Sequence, residues 1–245
     1  ELEALLVDLL VDRSKQEQRD IIQIVLNESL VTAPKLTEGQ LASLALVFLF
    51  KYTQNHGLGN HQMLGTYLDT HASPFIAKAS KGQASYQHME FAGCGAIGMG
   101  EVKLESALGT TYQGLFLKGF DATEIATRQI TIGHDARFFI QCLNDPTKVQ
   151  VRANSKETLA KNLEAFGVSE PDRAQIMALF DLGKMSETEI RDKLIAIRPY
   201  MKDLLESWSE SAMKHFTLTS VGIAIAHANI KRLVGEFAKL SIWIN

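Results

Sequence analysis

The chain has 245 residues, 46% apolar and 22% charged, with a net charge of −3 and a pI near 6.2. That composition allows one large or two modest folded domains. It excludes a surface that attracts nucleic acid or anionic lipid everywhere and leaves room only for a local basic patch. The longest apolar run, Leu41–Phe50, is half of the roughly 20 residues a membrane helix needs, so no span is expected.

Leu2, Leu5, Leu6, Leu9 and Leu10 recur at the spacing of one helical face, with Glu1, Glu3, Asp8 and Asp12 opposite, and predict an amphipathic helix. Ser14 with Glu17 reads as the capping box of a second helix carrying Ile21, Ile22, Val25, Leu26 and Leu30 inward, ended by Pro34. The stretch Thr37–Thr53 has most to bury. It has no polar stripe from Leu41 to Phe50, Thr37 and Gln40 form a capping box at its start, and Asn55 and Gly57 follow its end. A further helical region between Gly57 and Ala84 is broken at Pro74.

Between Gly93 and Gly133 fall 8 of the 17 glycines, and this segment reads as loops joining short helices. One turn is expected at Leu104–Leu108, and a helix at residues 121–129 capped by Asp121. Lys148–Arg152 alternates like a half-buried strand after Asp145-Pro146, which suggests a boundary near residues 144–147 and two regions, 1–146 and 147–245. Four helices follow, starting at Ser155, Ser169, Ser186 and near Met201. The chain closes as strand (215–218), helix (219 to about 232) and strand (240–244), with Leu240, Ile242 and Ile244 inward. The expected fold is mainly α, a multi-helix domain with a sheet of about three strands in its C-terminal part and a winged-helix-like ending.

Gly93-Cys94-Gly95-Ala96-Ile97-Gly98 spells a GxGxxG, with Asp121 downstream as a ribose contact. The context fails, because Tyr86–Ala92 is too polar for the buried strand that should precede it, and Gly100 interrupts the helix that should follow. His88-Met89-Glu90 echoes the HxE of zinc deaminases without their PCxxC, and Glu101-Val102-Lys103 echoes a nuclease ExK without a paired Asp strand. His56, His61, Asp69 and His71 have irregular spacing for a metal, and His227 sits on an apolar helix as a core histidine. There is no GxSxG or Walker A pattern. No catalytic residue, cofactor or metal is therefore assigned. Phe216–Gly222 leading into a helix that ends in Lys231-Arg232 looks like a winged-helix passage, with Lys214, Lys231 and Arg232 as candidate phosphate contacts.

The segments Glu90–Gly95, Tyr112–Phe120 and Leu218–Ile230, together with Leu5–Asn27 and Ala33–Thr37, resemble an uncharacterised bacterial family known only by locus tags. The resemblance covers nearly the whole chain and implies a bacterial cytoplasmic protein with no assigned activity. It also implies a polar upstream segment, in keeping with a sequence that opens on Glu1 without an initiator Met. Cys94 and Cys142, far apart and with no CxxC, fit the same reducing compartment.

The leading expectation is a non-enzymatic protein-interaction or assembly domain that self-associates. Its interface would centre on residues 2–30 and, second, on Met99–Phe120. The alternative is a winged-helix-like nucleic-acid binder, and the third reading is a hydrolase or nuclease in a defence pathway.

Overall fold

The computed structural model describes residues 2–16 and 20–244, with helix taking up 62% of the chain, so the fold is mainly α. In chain order the elements are α1 (Leu2–Ser14), α2 (Ile21–Thr32), α3 (Glu38–Tyr52), α4 (His61–His71), α5 (Ser73–Ile76), α6 (Gln83–Phe91), β1 (Gly95–Ile97) and α7 (Leu104–Thr111). Then come α8 (Thr123–Thr127), β2 (Phe139–Gln141), β3 (Val149–Val151), α9 (Lys156–Ala165), α10 (Glu170–Leu182), α11 (Glu187–Ile197), α12 (Met201–Glu210), β4 (Phe216–Leu218) and α13 (Ser220–Val234). Among the described residues no helix is long and apolar enough to cross a membrane. The chain forms two compact units. The first comprises the described residues up to Gln54, Thr66–Leu104 and those from Tyr200 on, and the second Asn55–Gly65 and Glu105–Pro199.

The first unit is built on α3. The Thr37 hydroxyl accepts from the Gln40 N–H while the Gln40 side chain accepts from the Thr37 N–H, and every residue from Gln40 to Phe50 is buried. The broadest contact of α3 is with α13, whose residues Gly222–Ile230 are buried in turn, and α1 and α2 pack on α13 and on each other. At the start of α13 the turn before β1 comes equally close: a Cβ at Gly222 would lie 1.9 Å from the Cys94 carbonyl oxygen. Lys51, in the last turn of α3, donates to the carbonyls of Lys214 and Phe216 at 3.0 Å each and lies over the Trp208 ring. Burial pulls its ammonium down to about 8.

Three expectations for this unit are corrected. Ser14 does not start a helix. It ends α1, donating to the Val11 carbonyl at 2.8 Å, and α2 is capped by Asp20, which accepts from the Gln23 N–H; Glu17 lies outside the described residues. Phe216–Leu218 is a strand, but it pairs antiparallel with β1 (Gly95↔Leu218, Ala96↔Thr217, Ile97↔Phe216), not with residues 148–152. Residues 240–242 form a 3-10 turn, so Leu240 and Ile244 are buried while Ile242 is 61% exposed. The expected C-terminal strand is absent among the described residues, and with it the single three-stranded sheet.

The second unit closes around Phe120, Phe138, Phe139, Leu163, Ile176 and Phe180 with their apolar neighbours. Residues 149–151 form the expected strand, paired antiparallel with β2 (Phe139↔Val151, Ile140↔Gln150, Gln141↔Val149). Residues 144–147 are the turn of this hairpin, inside the unit, where Asp145 accepts from the Thr147 N–H and hydroxyl. Ser155, Ser169 and Ser186 cap α9, α10 and α11, and Glu189 completes a capping box at the last. The helix expected at 121–129 shrinks to α8, because Asp121 bonds Thr123 in a local turn and Gln129 takes a φ of 55°. Asp172 is buried and accepts from the Thr131 N–H and hydroxyl. Burial works against its charge most strongly, but these bonds and those from Ser169 and Ile132 together outweigh it and hold the carboxyl below its ordinary range.

Candidate functional site

The motif residues are occupied structurally. Around Gly93–Gly98, helix α6 precedes and an antiparallel strand, β1, carries Gly95, the inverse of the strand-then-helix order a dinucleotide loop needs. A Cβ at Gly95 would lie 2.3 Å from the Thr217 carbonyl oxygen, which accounts for that glycine by close packing of β1 on β4. His88 Nδ1 lies 2.9 Å from the Gln40 amide nitrogen, and Glu90 accepts from the Ile97 N–H. The Val102 carbonyl accepts from Trp208 Nε1, between Glu101 and Lys103.

The histidines do not converge on a metal site. His61 Nε2 donates to the Leu115 carbonyl at 2.8 Å, His71 stacks on Tyr67 and bonds its carbonyl, and Asp69 accepts from the Tyr200 hydroxyl. Burial lowers the pKa of both His61 and His71. Among the described residues no three His, Cys, Asp or Glu side chains are grouped to hold an ion. His227 is buried between the rings of Phe48, Phe237 and Trp243, and burial lowers its pKa as well.

The three candidate phosphate contacts each face a polar group in the first unit. Lys231 holds Asp12 at 2.8 Å, Arg232 donates to Asn229 at 3.0 Å, and Lys214 lies 3.7 Å from Glu101. The helix offered as a groove reader, α13, is enclosed along Gly222–Ile230, so its middle presents no side chains to a partner.

What the first unit does present is the outer side of α1 and α2. Both helices are apolar on more than one face, whereas a helix bordering water is ordinarily apolar on one. Leu5 and Leu9 fill the inner side of α1, as Val25 and Leu26 do for α2. Val7 (58% exposed), Leu10 (57%) and Val11 then form an outward i, i+3, i+4 row, and Ile21, Ile24 and Val31 (60%), at i, i+3 and i+10, share a side of α2. Arg13 Nε donates to Asn27 Oδ1 at 2.7 Å and ties the two helices together at their exposed side. Sequence reasoning placed Leu10 and Ile21 inward and passed over Val7 and Val11. The readable signal was that α1 carries more apolar residues than one face can hold. Of the second region singled out, Met99 is fully exposed and Val102 is 40% exposed.

A family model whose description is a locus-tag "-like" label matches residues 1–244. The chain belongs to that family. The match covers the segments from which a locus-tag family was expected and assigns no chemistry to any of them. No curated protein and no solved structure matches the chain.

Proposed function

We propose that this chain is a self-associating interaction domain whose contact surface centres on the outer face of α1 and α2. The observation that carries the reading is the double row Val7, Leu10, Val11 and Ile21, Ile24, Val31, large apolar side chains left in water on two adjoining helices. Scattered apolar residues need no explanation, but a gathered patch of them marks an association surface. At 1.5 Å per residue and about 10 Å of width per helix, the pair offers about 400 Å² of face, against about 800 Å² per partner in a standard interface. The hairpin is thus the apolar centre and its polar surroundings the rim. A two-fold arrangement suits it, since one patch then covers its own copy and the assembly closes. The setting that goes with this reading is the bacterial cytoplasm, to which the free, buried Cys94 and Cys142 are suited.

Sedimentation or light scattering on the purified chain at tens of micromolar tests the proposal. The expected result is a dimer or larger closed assembly that Leu10→Asp with Ile24→Asp converts to monomer while the melting temperature of the monomer is retained. A wild-type chain that is monomeric at that concentration overturns it.

A further inference from the structure

The first unit contains a cavity of about 460 Å³ lined by the end of α1, the inner side of α2, α13 and the tail beyond it. That volume falls in the range of small-molecule sites, about 300–1,000 Å³. Its lining combines the apolar Ile22, Leu26, Phe237 and Leu240 with Asp12, Lys15, Lys231 and Lys239. This combination of apolar side chains and three lysines in one lining is the observation to explain.

A structural account of the lysines exists and falls short. Lys15 and Lys231 lie at the C-terminal ends of α1 and α13, where each helix end presents about half a negative charge. Asp12 supplies one more, bonded to Lys231 Nζ at 2.8 and 3.0 Å and 3.5 Å from Lys15 Nζ. Three ammonium groups therefore meet one carboxylate and two helix ends, and among the described lining residues about one positive charge is left without a counterpart. His227, also in the wall, does not alter that balance. Its Nε2 lies 2.6 Å from the Ala238 carbonyl oxygen, which can only accept, so Nε2 carries the proton, and enclosure by Phe48, Phe237 and Trp243 favours the neutral ring.

We propose that this cavity binds a monoanionic amphiphile, a single alkyl chain ending in one carboxylate. The chain lies against Ile22, Leu26, Phe237 and Leu240, and the carboxylate meets Lys15 and Lys239, since Lys231 is already engaged by Asp12. A second negative charge on the ligand would exceed what the site leaves unmatched, and a neutral or cationic head would meet the lysines without compensation.

The test is calorimetric titration of the full chain with decanoate, decanol and decylammonium, probes of one length that differ only in the head. The expected result is saturable one-site binding of decanoate, weakened by about tenfold or more for the other two, as the loss of a charged hydrogen bond implies. Lys15→Glu with Lys239→Glu should weaken decanoate by a similar factor. Lys15→Glu also places a negative charge beside Asp12 and the C-terminal end of α1, so the melting temperature should fall slightly, and binding is compared at a temperature where both proteins are folded. Leu10→Asp with Ile24→Asp should leave decanoate binding unchanged, which separates the cavity from the self-association surface. The proposal is overturned if decanoate does not saturate below millimolar concentration, if decylammonium binds as well as decanoate, or if the lysine double variant binds like the wild type.

Discussion

In the second unit the large apolar residues that remain in water, Met63, Phe166 and Leu182, belong to separate stretches of chain: α4, the end of α9 and the end of α10. In the first unit six of them share α1 and α2. The difference follows from how each core is closed. In the second, phenylalanines from the β2–β3 hairpin and the helices after it meet in the middle. In the first, α3 is covered by the small residues of α13, and α1 and α2 lie outside that pair, so each can bury only its inner side. Apolar residues in excess of that side stay in water, where a partner can reach them.

The comparison breaks most visibly if the units do not melt independently. Both tryptophans, Trp208 and Trp243, belong to the first unit, so their fluorescence reports on it alone while circular dichroism reports on both. Phe48→Ala and Phe180→Ala should each cost about 3–5 kcal/mol. Phe48→Ala is expected to lower the fluorescence transition and Phe180→Ala to leave it in place, moving only part of the dichroism signal. If Phe180→Ala shifts the fluorescence midpoint as far as Phe48→Ala does, the chain unfolds as one body.

Glycine contacts sharpen the same division at smaller cost. A Cβ at Gly222 would lie 1.9 Å from the Cys94 oxygen and one at Gly114 2.0 Å from the Ala153 oxygen, both backbone atoms that cannot step aside. Gly222→Ala should destabilise the first unit and Gly114→Ala the second, by about 1–3 kcal/mol each. Gly109→Ala meets only the flexible tip of Ile190 at 2.5 Å and serves as the mild control. Denaturant midpoints for the three variants, ordered otherwise, would contradict this account of why those positions are glycine.

The smallest effect is a pH dependence. His227 and His71 in the first unit have pKa values lowered by burial, so the unfolded chain binds more protons than the folded one as pH falls below about 6.5. Their stabilising contribution is complete above that value and is lost as pH falls from there through the folded pKa values. Tryptophan-detected melting temperature should therefore decline between neutrality and mild acid, and less steeply in His227→Gln, which retains a donor for the Ala238 carbonyl. An unchanged slope in that variant would place the sensitivity elsewhere.

Much of the helical framework was legible because its signals are local. The capping boxes at Thr37/Gln40 and Ser186/Glu189, the caps at Ser155 and Ser169 and the break at Pro74 each lie within a few residues. Strand pairing was not, because β1 meets β4 from more than a hundred residues away and Gly95-Ala96-Ile97 has no alternation to announce it. The tail misled for a different reason. Leu240, Ile242 and Ile244 alternate like a strand, but Leu240 and Ile244 are also four apart, and the Ile244 N–H bonds the Leu240 carbonyl in a helical turn. As for the candidate surface, its helices could be named from sequence but not its residues, because on an apolar helix periodicity does not say which face turns inward.

The burial of α3 under α13 has a consequence for how the protein is made. About 170 residues separate the end of α3 from the start of α13, including the contiguous Glu105–Pro199 stretch of the second unit. At roughly 5–20 residues per second, synthesis leaves α3 without its main cover for about ten to thirty seconds, and the second unit is complete in sequence before α13 begins. A helix buried from Gln40 to Phe50 in the finished fold is thus made well before its main cover, as are α1 and α2, and the newborn chain exposes apolar surface of the kind that invites aggregation until α13 emerges.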